Sequence, residues 1–357
     1  MGRAGGTTIN LFMVASPLHY FCARIIAERF CRDEACHLFF IRDFLSKAVS
    51  REGWDSVTYL PWPRFYPKGG IFGKICRTRE NLDIVAGKCP DAGFIRLHAP
   101  VIGTEAVNYH INFLRHSFPE ARFTVRLIPD GLLNRCRHPM GRVKEFGQVF
   151  KKVRRLVYPS LNYYFFKGDR TGSDDPIVDR IYVLPDIPHE YQPSKIVELP
   201  SFYSESVQST EDGDLKNALV LSQPLSSMGY LSDHEVASIA YGIHQFLDEA
   251  GIEDIHFKRH PRDPRGDFFL PDYHEIEPEK PLEDYVVDHP YDIIIGFSST
   301  GLVTAKMILG GHCRVVSYGL NVSKEKGSEQ RKKFERMLTE IGVEVVAHNA
   351  GKILETF

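Results

Sequence analysis

No apolar run in this chain approaches the length of a membrane span. Stretches such as Ile293-Ile294-Ile295 are short, whereas a spanning helix needs about twenty apolar residues. The N-terminal Met1-Gly2-Arg3-Ala4-Gly5-Gly6 lacks the apolar core of a signal peptide, and Gly6 stands where a myristoylation signal requires Ser or Thr. Neither sign of charge is in excess: 44 Lys and Arg against 46 Asp and Glu leave a net charge of -2. That balance argues against a general nucleic-acid binder. Seven cysteines (22, 31, 36, 76, 89, 136 and 313) form no CxxC pair and no zinc spacing. They read as reduced thiols of a cytoplasmic protein. Dinucleotide, Walker A, HExxH and GxSxG motifs are missing, as is any repeat. The lone sequon Asn321-Val322-Ser323 is attributed to chance.

What is present is a globular composition, 43% hydrophobic and 25% charged over 357 residues. It excludes collagenous, disordered and coiled-coil chains, and the length suggests two domains. Short apolar strands alternate with amphipathic helical stretches, the α/β pattern. Strands are expected near 9–14, 37–41, 57–60, 93–97 and 123–128. A second alternation starts at Asn217-Ala218-Leu219-Val220-Leu221, with a helix over 233–250 and strands at 255–258, 291–295 and 314–317. Residues 201–216 are polar, acidic and aperiodic, so they read as a linker between domains at 1–200 and 217–357. Two Rossmann-like domains facing a central cleft, the GT-B arrangement, are the expected fold. Binding modules of periplasmic type share that outline, so fold alone assigns no function. Residues 135–170 hold ten Lys or Arg against two Asp or Glu, interleaved with Val143, Phe146, Val149, Phe150, Val153, Leu156 and Val157. This is either a solvated basic face or a surface for anionic glycolipid or a membrane leaflet.

Three places could hold chemistry. At Ile128-Pro129-Asp130-Gly131 a strand ends on a carboxylate and a turn, where ligands bind in open α/β sheets. Asp130 could there act as a general base on a hydroxyl. At Lys258-Arg259-His260-Pro261-Arg262 a histidine follows a strand among cations. A protonated imidazole could stabilise a departing phosphate. At Gly296-Phe297-Ser298-Ser299-Thr300 a strand runs into three hydroxyls at a helix start, which suits either phosphate binding or plain N-capping. Asp212-Gly213-Asp214 has the form of a metal-binding DxD but falls in the linker. Asp174-Asp175-Pro176 reads as a turn. His19, His98 and His110 read as packed or exposed side chains, and the His138-Pro139 and His289-Pro290 dipeptides lack the setting of His260.

In their order, these motifs resemble the bacterial GT-B sialyltransferases, including glycosyltransferase families 52 and 80 and the polysialyltransferases of family 38. Pro129-Asp130-Gly131 resembles the family's acidic-acidic-Gly turn, with Pro129 replacing the first acid. Lys258-Arg259-His260-Pro261 resembles its Lys-x-His-Pro, and Ser298-Ser299-Thr300 its Ser-Ser/Thr pair. Phe12–His19 and Leu221–Leu225 resemble the openings of the two domains, with His19 where Gln is usual. The resemblance implies Asp130 as base, His260 as the contact assisting phosphate departure, and Ser298, Ser299 and Thr300 as phosphate ligands. Lys258 accompanies His260, and Glu283 would touch the cytidine ribose. It further implies an inverting, metal-independent sialyltransferase with no cofactor. The donor would be a CMP-activated nonulosonic acid, and the acceptor a glycan or glycolipid such as lipooligosaccharide or capsule. Transfer of Kdo from CMP-Kdo and a non-catalytic nucleotide-sugar binding module remain alternatives.

Overall fold

The computed structural model describes residues 6–47, 49–130, 137–156, 158–185, 189–200, 216–260, 262–277, 282–322 and 328–349. The chain divides into two compact units, Met1–Pro200 and Ser201–Phe357. The expected linker lies, except for Lys216, outside the described residues, and so does Asp212-Gly213-Asp214.

The first unit is a seven-stranded parallel sheet. Its strands are β1 (Thr7–Val14), β2 (Ala35–Phe40), β3 (Ser56–Tyr59), β4 (Ala92–Ala99), β5 (Arg122–Leu127), β6 (Val178–Val183) and β7 (Ile196–Glu198). Across the sheet they run β3-β2-β1-β4-β5-β6-β7, so the chain winds outward from β1 in both directions. Helices α1 (Pro17–Phe30), α2 (Gly73–Ala86), α3 (Glu105–Ser117) and α4 (Arg142–Val153) connect them. The core lies among β1, β4 and β5, where Leu11, Met13, Ile95, Leu97, Val125 and Leu127 are buried. Buried parallel strands of this kind read as near-continuous apolar runs, which is why the sequence marks them clearly. Asn10 interrupts the run with a purpose: its amide donates to Glu34 (2.9 Å) and its oxygen lies 3.1 Å from His98 Nε2.

The second unit repeats the plan with six parallel strands: β8 (Asn217–Leu221), β9 (Asp254–Lys258), β10 (His274–Ile276), β11 (Ile293–Gly296), β12 (Arg314–Tyr318) and β13 (Glu344–Val346). Their order is β10-β9-β8-β11-β12-β13. Helix α5 (Asp233–Glu249) starts at a capping box: Ser232 accepts from the Glu235 N–H, and Glu235 reaches back to the Ser232 N–H. Helices α6 (Leu282–Asp288), α7 (Thr300–Leu309) and α8 (Ser328–Glu340) complete it. Gly310 ends α7 at φ 56°, a left-handed conformation that favours glycine. Ile293, Ile294 and Ile295 are fully buried.

Of the two readings the sequence left open, packed or exposed, the structure gives the first: His98 and His110 are core side chains. The His98 ring stacks on Phe12 at 4.1 Å. Burial holds His98 well below its ordinary value and pushes His110 down to about 4. An unfolded histidine takes up its proton near ~6.5. Stability should therefore be full above that pH and fall as pH drops toward 4, by about 3 kcal/mol from His110 alone. Urea unfolding midpoints measured between pH 7.5 and 4.5 would show the fall, and His110→Leu should remove part of it.

Candidate active-site pocket and carboxylate

In the second unit, β8 is the central strand from which the chain winds both ways. The carboxyl ends of such neighbouring strands leave a crevice where ligands bind. A cavity of about 300 Å³ opens there, and its polar lining includes Gln223 after β8, His260 and Arg262 after β9, Ser298 after β11, and Arg331 on α8. Leu225, Tyr230 and Phe297 supply apolar wall. The Gln223 amide clasps Ser298 by accepting from its backbone N–H at 2.6 Å and donating to its hydroxyl at 3.3 Å. The loops that carry these groups are held by buried acids. Asp263 accepts from the Ser222 hydroxyl and from the backbone N–H groups of Arg265 (3.2 Å), Gly266 (3.0 Å) and Asp267 (2.6 Å). Asp267 accepts from the Ser226 N–H (2.8 Å) and hydroxyl (2.6 Å). The loop after β8 is thereby fastened to the loop after β9.

His260 Nδ1 accepts from the Arg262 N–H at 3.1 Å, which leaves the ring proton on Nε2. Burial lowers its pKa, and the nearby Arg262 and Lys258 charges lower it further. Burial and the neighbouring charges thus disfavour the cationic imidazole expected from sequence, while Arg262 and Arg331 bring positive charge to the pocket's lining. Arg259 points its charge elsewhere, forking onto Glu275 at 2.6 and 2.9 Å.

Ser299, Glu283 and Lys258, also expected at this site, are not among the pocket's described lining. Ser299 is the N-cap of α7, its oxygen accepting from the Gly301 N–H at 3.1 Å. Thr300 opens the helix, and its side chain is outside the described part. Glu283 is buried in the first turn of α6, and its Oε2 has no partner among the described residues. Burial pushes its carboxyl up to about 7, against the pull of Lys258. Burial likewise lowers Lys258, against the pull of Glu283.

In the first unit, Asp130 follows β5. Its Oδ1 lies 2.5 Å from Nε2 of His19, a buried residue in the first turn of α1. That turn forms as expected: Ser16 caps it by accepting from the His19 N–H (3.2 Å), and Pro17 occupies the first helical position. His19 Nδ1 accepts from the Ala15 N–H at 3.2 Å, so the proton donated to Asp130 sits on Nε2. Sequence reasoning gave His19 no role. A signal was there: Gln, usual at that position in the resemblance, also ends in an N–H donor. Gly131 lies outside the described residues. Asp174-Asp175-Pro176 is a turn: Asp174 accepts from the Asp169 N–H (3.0 Å) and Asp175 from the Ile177 N–H (2.9 Å).

The alpha-2,8-polysialyltransferase (POLYST) family model matches residues 186–317, which include Gln223, His260 and Ser298. No curated protein matches the chain. Among solved structures, it is similar to the UDP-GlcNAc 2-epimerase from Methanocaldococcus jannaschii. That pair is 12% identical at a TM-score of 0.50, covering 98% of this chain and 91% of the other. It is also similar to CalG4, the calicheamicin glycosyltransferase, 11% identical at a TM-score of 0.52 over 98% and 89%. Identities this low carry the fold only, and that fold is GT-B. The family match supports a glycosyltransferase and a resemblance to the bacterial GT-B sialyltransferases over residues 186–317.

The Asp263 carboxylate is the fastening on which the pocket depends. Asp263→Ala would strand three backbone donors and a hydroxyl, which should cost ~3 kcal/mol or more. Denaturant unfolding of the variant against the parent chain measures this directly.

Proposed function

We propose that the chain is an inverting, metal-independent sialyltransferase. It would move sialic acid, or a related nonulosonic acid, from its CMP donor to a hydroxyl of a glycan or glycolipid acceptor at the cytoplasmic face of a membrane. The observation that carries this reading is the pocket at the carboxyl ends of β8, β9 and β11: its His260 and Ser298 fall inside the polysialyltransferase match.

The chemistry follows from the residues. In a CMP sugar the leaving group is a single phosphate ester, so only one phosphate's charge must be met as the glycosidic C–O bond breaks. His260 donates its Nε2–H, Ser298 its hydroxyl and Arg262 a positive charge, and together they take the place a metal ion holds where a diphosphate leaves. Asp130 accepts the proton of the acceptor hydroxyl as its oxygen bonds to the anomeric carbon. The His19 Nε2–H holds that carboxylate by one oxygen and leaves the other available as the base. A single displacement inverts the centre, turning a β-linked donor into an α-linked sialoside. Glu283 is offered as a ribose contact, because a buried carboxyl with an unpartnered oxygen suits a sugar hydroxyl.

CMP release from CMP-Neu5Ac in the presence of acceptor tests the reading. Asp130→Asn should abolish transfer while CMP affinity, measured by calorimetry, stays within a few-fold; activity surviving within about tenfold would place the base elsewhere. His260→Ala and Ser298→Ala should each weaken CMP binding by roughly ten- to a hundredfold. Initial rates should persist in excess EDTA, and Asp212→Ala with Asp214→Ala should be silent. A rate that stops under chelation and returns with Mg²⁺ or Mn²⁺ would point to a diphosphate donor instead.

A further inference from the structure

Helix α4 is mounted with its polarity reversed. A surface helix ordinarily turns its apolar stripe to the core and its polar face to water. Here the buried residue of α4 is Gln148, whose amide donates to the Phe166 carbonyl (3.0 Å) and accepts from the Phe166 N–H (3.2 Å). The apolar side chains face out: Val143 is 86% exposed, Phe146 63%, Phe150 67% and, in the turn after the helix, Leu156 77%. Phe146 and Phe150 pack edge to face at 5.4 Å, one turn apart, with most of their surface in solvent. Elsewhere in the same unit the ring of Phe72, itself more than half exposed, lies 6.3 Å from Tyr158, two residues past Leu156.

The same segment is rich in cations. It includes Arg142, Lys144, Lys152 and Arg155, and Glu145 is the sole acid from 142 to 156. A stripe of exposed large apolar side chains on a segment rich in lysine and arginine matches the boundary of an anionic leaflet, where rings enter the acyl region and cations meet headgroups. A second copy of the chain is a poor cover. A two-fold contact through α4 would bring the same four cations against themselves. No described helix is long and apolar enough to cross a membrane, so the contact would lie along the surface.

We propose that the outward face of α4 is a docking surface for an anionic lipid bilayer, with Phe146 and Phe150 as its anchors. The proposal is independent of the donor pocket and of the reaction assigned to it.

Flotation of the full chain with phosphatidylcholine vesicles, with and without phosphatidylglycerol, tests it. The chain should float with the anionic vesicles, stay behind with the zwitterionic ones, and bind less as salt is raised. Phe146→Glu with Phe150→Glu should reduce binding at least tenfold. Lys144→Gln with Lys152→Gln should reduce it by a smaller factor. Phe146, Phe150 and Lys144 are exposed and Lys152 is half-buried, so circular dichroism and unfolding midpoints should match the parent chain. Absence of binding to either vesicle would overturn the proposal, as would binding that the aromatic double variant leaves intact. Sedimentation showing a dimer that this double variant dissolves would also overturn it, making the face a contact between copies.

Discussion

The buried carboxylate of Asp263 is the constraint from which the arrangement of the second unit's pocket follows. A charge removed from water must be met by several donors, and Asp263 obtains them from the Ser222 hydroxyl and three successive backbone N–H groups. Those donors lie in two different loops. Satisfying one carboxylate therefore fixes where Gln223 stands relative to His260. Asp267 repeats the device on Ser226. Neither acid belongs to the cavity's lining, and both act through the backbone. The pocket's shape is thus set by acids, while its own polar groups suit an anion.

The first unit reaches a comparable result with one histidine. The imidazole of His19 has a backbone donor on one nitrogen and a carboxylate on the other, so its tautomer is fixed by the fold. Both arrangements stand just past the ends of parallel strands, where the helix starts and loops of a doubly wound sheet converge. Each unit thereby presents pre-oriented polar groups without disturbing its apolar ladder.

Most of the central strands were legible because they carry buried apolar runs, and β9 because its apolar residues alternate with polar ones. β1, β4, β5, β8, β9, β11 and β12 coincide with these signals to within a residue or two. β10 and β13 carried no such signal: His274-Glu275-Ile276 and Glu344-Val345-Val346 are short edge segments with polar or half-buried residues, held by pairing to a neighbour. β6 and β7 escaped for a similar reason, since Asp179 and Arg180 break the pattern of the first and the second has only three residues. At the site, His260 and Ser298 were readable as polar residues placed just past strands. Gln223 and Arg331 reach the same cavity from elements far apart in the chain, and no local spacing reports that. The downward shift of His260 was also beyond the sequence, because burial, its first cause, is not visible there and a basic neighbourhood reads first as attraction for anions. His19 illustrates the same limit. Its partner is 111 residues away, and only the winding order of the sheet brings them together.

Both sheets taper. Their outermost strands, Ser56–Tyr59 and Ile196–Glu198 in one, His274–Ile276 and Glu344–Val346 in the other, have three or four residues each. A template that short offers little ladder for a foreign strand to extend, which is how natural sheets resist growing edge to edge. Concentrated solutions of this protein should therefore be safe from β-type fibre growth at the sheet margins. Any stickiness they show should trace to a helix, and should yield to detergent or to lipid.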